Sequence, residues 1–111
     1  MIVVINNSST ERDLKDFERA FSKLSSPERV KEAIIDYEFP IPAPFSNPLN
    51  FPLVLSTDDN IKFCVLNVTA GYSGEGPSGT CKILKMCGFR IDEKLIFKDS
   101  QGKRVRMIFT K

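Results

Sequence analysis

The residues best suited to chemistry lie in a glycine-rich stretch, Gly71 to Gly79, which leads into the start of a predicted helix. Free N–H groups at a helix start can hold an anion, and Glu75, the only acidic residue between Asn60 and Arg90, could serve as a general base. The stretch lacks the Gly-Lys-Ser/Thr ending of a P-loop and does not match the dinucleotide-binding pattern. The chain also has no histidine, the commonest general base and zinc ligand. These features favour a tight strand-to-helix turn over a reactive site, and we expect no enzyme activity and no cofactor.

The three cysteines, Cys64, Cys81 and Cys87, are the other reactive side chains. Their number is odd and no two form a Cys-x-x-Cys pair. Without histidine there are too few soft ligands for a closed zinc site. We interpret them as buried thiols and expect no metal site.

Charge is distributed unevenly along the 111 residues, although the net charge is only +2. Residues 1–61 hold 6 basic and 10 acidic side chains, and residues 62–111 hold 10 basic and 4 acidic ones. The basic side chains near the C-terminus are candidates for a nucleic-acid-binding surface: Lys94, Lys98, Lys103, Arg104 and Arg106. Strand alternation points Val105, Met107 and Phe109 to the opposite face, and the total charge is modest, so nucleic-acid binding is disfavoured.

The N-terminal elements that must position these residues are a strand over Ile2 to Ile5 and a helix capped by Ser9 or Thr10. Apolar residues at helical spacing predict the buried stripe of that helix: Leu14, Phe17, Phe21 and Leu24. Pro27 predicts the start of a second helix. Its stripe would be Val30, Ala33, Ile34 and Tyr37.

Five of the seven prolines then lie between Phe39 and Pro52, a segment that we expect to be extended. Its aromatic rings would either seal the core or form an exposed contact surface.

The C-terminal half is predicted to contain two hairpins with a helix between them. The first hairpin joins Leu53–Ser56 to a long strand over Ile61–Thr69, and the helix runs from about Ser78 to Cys87 with Gly88 as its left-handed cap. The second hairpin joins 94–98 to 103–110. The sequence therefore predicts one compact α+β domain, residues 1–111, with a mixed or antiparallel sheet of about five strands, two N-terminal helices and one short helix after the glycine-rich turn.

The segment from Asn67 to Pro77, NVTAGYSGEGP, followed by Ile83-Leu84 and Gly88-Phe89, resembles small bacterial immunity proteins of contact-dependent growth inhibition and polymorphic toxin systems. Several of these have a strand that ends in a Gly-Tyr-x-Gly-Glu/Gly-Gly-Pro turn, then a short helix and Gly-Phe. The resemblance implies an inhibitor that binds the toxin domain at the C-terminus of a large secreted effector, often a nuclease, and blocks its active site or substrate groove. It involves no small-molecule substrate.

The opening Met-Ile-Val-Val-Ile lacks the features of a signal peptide and is far shorter than a membrane span, so we expect a cytoplasmic protein without membrane association.

If the toxin is basic, Tyr37 and Phe45 are the expected anchors and the acidic side chains of the N-terminal half the expected contacts: Asp13, Asp16, Glu18, Glu28, Glu32, Asp36 and Glu38. If the toxin is acidic, the basic residues named above replace them. Tyr72 and Glu75 on the glycine-rich turn serve either arrangement. The alternative is a small nucleic-acid-binding or regulatory protein that uses the basic C-terminal hairpin.

Overall fold

The computed structural model describes residues 1–37 and 51–111, which form an α+β domain around a five-stranded mixed sheet. The strands are β1 (Ile2–Ile5), β2 (Val30–Tyr37), β3 (Leu53–Thr57), β4 (Lys62–Val65) and β5 (Val105–Thr110). The helices are α1 (Thr10–Leu24), α2 (Glu75–Met86) and α3 (Glu93–Phe97), with a 3₁₀ turn over Pro27–Arg29. The strand order is β1-β4-β3-β2-β5, in which β1 runs parallel to β4 and the other neighbours are antiparallel.

The two faces of this sheet carry different side chains. The helix face buries the main core, in which residues such as Ala33, Ile35, Leu55 and Phe63 pack against the three helices. The second face is lined by the alternate residues of each strand, and a smaller apolar cluster of Phe51, Val54 and Cys64 lies there. This alternation follows from the period of two in an extended chain, so each strand contributes to both faces.

The first helix forms where the sequence predicts it. The Ser9 hydroxyl caps it by accepting a hydrogen bond from the Arg12 N–H at 3.2 Å. Its apolar stripe buries Phe17 and Phe21, which stack on each other at 5.0 Å between ring centroids and meet the edge or face of Phe63 in β4. These three rings pack α1 against β4, one of the inner strands of the sheet.

The second predicted helix is wrong, because residues 30–37 form strand β2 instead. A β-bulge between Val30 and Glu32 inserts one residue and shifts the alternation. The buried positions then become Val30, Ala33 and Ile35, a spacing that resembles that of a helix. Pro27, which predicts a helix start, instead begins the short 3₁₀ turn.

The second predicted hairpin is also wrong, because its first strand is the short helix α3. The Asp92 carboxylate caps this helix by accepting a hydrogen bond from the Lys94 N–H at 3.1 Å. Strand β5 forms as expected, but it pairs with β2, which is distant in sequence, and not with a strand joined to it by a turn. The sheet therefore has five strands, but β2 takes the place of the predicted strand over 94–98.

The hairpin of β3 and β4 is confirmed, although β4 ends at Val65 instead of Thr69. Helix α2 starts three residues earlier than expected, at Glu75. At its end Gly88 has a φ of +84°, and the Phe89 N–H donates to the Leu84 carbonyl at 3.0 Å. Buried Phe89 completes the predicted glycine cap.

Candidate functional site

The glycine-rich turn packs closely against helix α3 and the turn 99–102 and links both to the sheet. Gly71 has a φ of +96°, and a Cβ atom there would lie 2.8 Å from Val105 and 3.0 Å from Ser100. Its N–H donates to the Ile96 carbonyl, and its carbonyl accepts from the Ser100 N–H, both at 2.9 Å. Only glycine combines this conformation with so close an approach, which agrees with the turn interpretation.

The start of α2 is equally close-packed. A Cβ atom on Gly76 would collide with the Thr69 and Tyr72 hydroxyls, and those two oxygens are hydrogen-bonded to each other at 2.6 Å. Buried Thr80 donates its hydroxyl to the Thr69 carbonyl at 2.7 Å. The glycine-rich residues thus hold Tyr72 in one position.

Tyr72 and Tyr37 form the wall of a cleft of about 490 Å³ whose other side is the turn at Ser100 and Lys103. Their ring centroids are 6.2 Å apart and their planes are inclined at 46°. Burial, and secondarily the nearby Tyr72, raises the pKa of Tyr37 above its ordinary value of 10.0. Tyr72 is 39% exposed, which leaves part of its ring available to a partner.

Asp36 and Arg104, which belong to opposite candidate sets, are bonded to each other where β2 lies beside the start of β5. The guanidinium donates from Nε and an Nη atom to the two carboxylate oxygens at 2.7 and 2.6 Å. The hydrogen bond from Arg104 outweighs desolvation and lowers the pKa of Asp36. Arg106 is the register partner of Asp36 on β5. The structure therefore joins part of the acidic set to part of the basic set.

A second cleft of about 550 Å³ adjoins the first, and the turn 99–103 forms the ridge between them. It is lined by Leu95, Lys98 and Arg104 among others, and Leu95 is 53% exposed. Sequence reasoning did not select Leu95 or Ser100, because the exposure of Leu95 depends on α3 being a helix that buries Ile96. We call the combined region the tyrosine–turn surface: Tyr37, Tyr72, Leu95, Lys98, residues 99–103 and Arg104.

Asp13 is the clearest correction among the candidate contacts. It is fully buried, whereas it is expected from sequence to contact a basic toxin. Its carboxylate accepts from the backbone N–H groups of Asn7 and Asn67, each at 2.8 Å, and from the Asn67 side-chain amide at 3.1 Å. It joins the ends of β1 and β4 to α1 and cannot contact a partner.

The remaining acidic candidates do not form one surface. Glu18 is exposed on α1, which covers the helix face, whereas half-buried Glu32 lies on the second face beside Ser56. Asp16 accepts from the Asn7 side-chain amide at 2.8 Å, and Glu28 lies in the 3₁₀ turn. Glu38, Phe45 and most of the proline-rich segment 39–52, namely residues 39–50, lie outside the described residues.

Glu75 and Lys94 are exposed but lie apart from the two clefts. Glu75 lines a separate groove between the starts of α1 and α2, together with Glu11 and Lys82. Lys94 lies in the first turn of α3.

The cysteines are free and buried, as predicted. Burial raises the pKa of all three thiols, that of Cys87 to about 12. Within residues 1–37 and 51–111 no three cysteine, aspartate or glutamate side chains are grouped so that they could hold a metal ion. Among the same residues no helix is long and apolar enough to cross a membrane.

Comparison of the chain with protein-family models, with curated proteins and with solved structures finds no match.

Proposed function

We propose that this chain is an immunity protein that binds a cognate toxin domain through the tyrosine–turn surface and blocks it by occlusion. The observation that carries the proposal is the convergence of two tyrosines and exposed Leu95 around two adjoining clefts. Aromatic residues and arginine, clustered in pockets, are typical of the residues that dominate protein–protein binding energy. A steric inhibitor needs such a surface and no reacting groups.

The rigidity of this surface favours tight binding. The Gly71 backbone hydrogen bonds hold the turn, the Thr69 hydroxyl holds Tyr72, and Asp36 holds Arg104. A surface already ordered before contact loses little conformational entropy on association. We expect the inhibitor to dock without rearranging its backbone.

The charges of the surface favour a protein partner over nucleic acid. Lys98, Lys103 and Arg104 contribute three positive charges and Asp99 one negative charge, and the Asp36 carboxylate, outside the surface, is paired with Arg104. A sequence-independent nucleic-acid binder uses several cations that are not neutralised by neighbouring carboxylates. The weak positive excess fits a toxin surface that is mildly acidic around an apolar centre, which is the second of the two arrangements considered from sequence.

The test is calorimetric titration with the C-terminal domain of the large secreted protein encoded beside this chain, together with rescue of growth from that toxin. We expect 1:1 binding with a Kd of about 10 nM or lower, and rescue. Leu95→Asp and Lys103→Glu should each weaken binding about tenfold or more. Leu24→Asp and Lys82→Glu are matched controls, because Leu24 is an exposed leucine on α1 and Lys82 lies in the separate groove.

Absence of both binding and rescue would show that the proposed function is wrong. Full affinity in both Leu95→Asp and Lys103→Glu would show that the toxin binds elsewhere. Nucleic-acid binding with a steep salt dependence, lost on neutralising Lys103 and Arg106, would support the alternative function.

A further inference from the structure

The two outer strands of the sheet differ in how they are protected against further pairing. Strand β5 carries Arg106 and is flanked by Lys103, Arg104 and Lys111. Strand β1 reads Ile-Val-Val-Ile and has no charged residue. Natural proteins commonly place charges, especially lysine, on sheet edges to prevent association, so β1 is the edge without such protection in the part of the chain that the structure describes.

Within residues 1–37 and 51–111, the backbone groups on the outer side of β1 have no pairing strand. The carbonyls of Met1 and Ile5 accept from the N–H groups of Lys62 and Leu66, which shows that the odd-numbered residues bond to β4. Because bonding direction alternates along a strand, the N–H and C=O groups of Ile2 and Val4 point away from β4. These four groups can pair with one further strand.

The side chains at the same two positions are also exposed. Ile2 is 52% and Val4 is 49% exposed, and both lie on the second face. Val4 begins a row of apolar residues that crosses the whole sheet through Cys64, Val54 and Ile34 to Ile108. A strand added to β1 would extend this row and cover its exposed end.

We propose that β1 pairs antiparallel with β1 of a second copy of this chain, giving a symmetric dimer with a continuous ten-stranded sheet. The edge is self-complementary in the register centred on Val3, where Ile2 faces Val4 of the other copy and Val4 faces its Ile2. The outward groups of both strands then form four hydrogen bonds. The same register places the half-exposed Ile2 and Val4 side chains of the two copies together on the second face.

The charge of the nearest lysine does not oppose this contact. Lys62, the nearest lysine in register, lies opposite Ile2 on the inner side of β1. In the dimer the two Lys62 strands are three strand spacings apart, roughly 14 Å, which exceeds the Debye length at physiological salt. The contact is short, so we expect a dissociation constant between about 1 µM and 1 mM, typical of small interfaces.

Sedimentation velocity of the full chain tests the pairing, at protein concentrations from about 1 µM to about 1 mM. We expect a concentration-dependent shift from monomer to dimer. Val4→Lys and Ile2→Lys should each weaken dimerisation at least tenfold, because they place a lysine in the paired edge. Ile108→Lys is the matched control, since Ile108 is 55% exposed on the same face but lies on β5.

Amide exchange measured by NMR at low and high concentration gives a second readout that needs no variant. Slower exchange at the N–H groups of Ile2 and Val4 on dimerisation would support the proposed register. A monomer at all concentrations would overturn the proposal. So would a dimer that Ile108→Lys disrupts while Val4→Lys and Ile2→Lys do not. The inference does not depend on the proposed toxin partner, and failure of either leaves the other standing.

Discussion

Substitution of buried Asp13 by asparagine should destabilise the domain strongly, although the change conserves shape. One carboxylate oxygen accepts from the Asn7 backbone N–H, and the other accepts from the backbone and side chain of Asn67. Asparagine retains one acceptor oxygen and replaces the other by an amide group that only donates. At least one partly buried N–H is therefore left without an acceptor, and the remaining hydrogen bonds lose their charge assistance.

The expected loss follows from these contacts. A buried donor without an acceptor costs about 1–3 kcal/mol, and a hydrogen bond to a charged group contributes about 1.5–3 kcal/mol. With one bond lost and the others weakened, we expect the free energy of unfolding to fall by about 3 kcal/mol. Because 1 kcal/mol shifts the midpoint temperature of a domain of this size by about 4 °C, the midpoint should fall by roughly 12 °C.

Urea unfolding followed by far-ultraviolet circular dichroism measures this effect, since the chain has no tryptophan. Glu18→Gln on the same helix is the matched control, and its exposed side chain should change stability by less than about 0.5 kcal/mol. A loss of less than about 1 kcal/mol in Asp13→Asn would refute the assigned role of this carboxylate. So would weaker toxin binding by a fully folded Asp13→Asn variant, because the residue would then act at the surface.

Three further predictions concern the glycine-rich turn, the thiols and the ion pair between Asp36 and Arg104. Gly76→Ala should cost about 2 kcal/mol or more, because its methyl group collides with the Thr69 hydroxyl, and thermal unfolding measures the loss. Cys87 should resist iodoacetamide at pH 8 in the native state and react after unfolding, because burial raises its pKa to about 12; rapid native labelling would contradict this. Asp36 has a lowered pKa, so its pairing with Arg104 stabilises the fold above the ordinary aspartate value of 3.8 and is lost as pH falls through the lowered value. In Asp36→Asn the free energy of unfolding should therefore fall less steeply as the pH is lowered below about 4. The difference should be less than about 1 kcal/mol, because the pair lies at the surface. An unchanged pH dependence would contradict the assignment.

Local signals predicted the first helix, the β3–β4 hairpin and the glycine cap of α2. In each case the determining groups are neighbours in sequence: Ser9 caps its own helix, and Gly88 ends the helix that precedes it. Buried thiols followed from composition alone. Such features depend on interactions over a few residues, which a pattern can reveal.

The errors arose where pairing partners are distant in sequence. Residues 30–37 carry a bulge that makes strand burial resemble helical spacing. Residues 93–97 are short and ambiguous, and their conformation depends on contacts such as the hydrogen bond from Gly71 to Ile96. Neither segment could be assigned without knowing that β2 pairs with β5.

The candidate site shows the same division. The sequence alone identified the chemical groups of the site: the tyrosines, the basic side chains and the glycine-rich turn. It also showed that the chain has no histidine. Only the tertiary structure brought Tyr37 beside Tyr72 and Asp36 beside Arg104, and placed Asp13 in the interior. The reason is physical: composition and local spacing determine what a short segment can do, whereas burial and charge pairing depend on which distant segments the sheet makes neighbours.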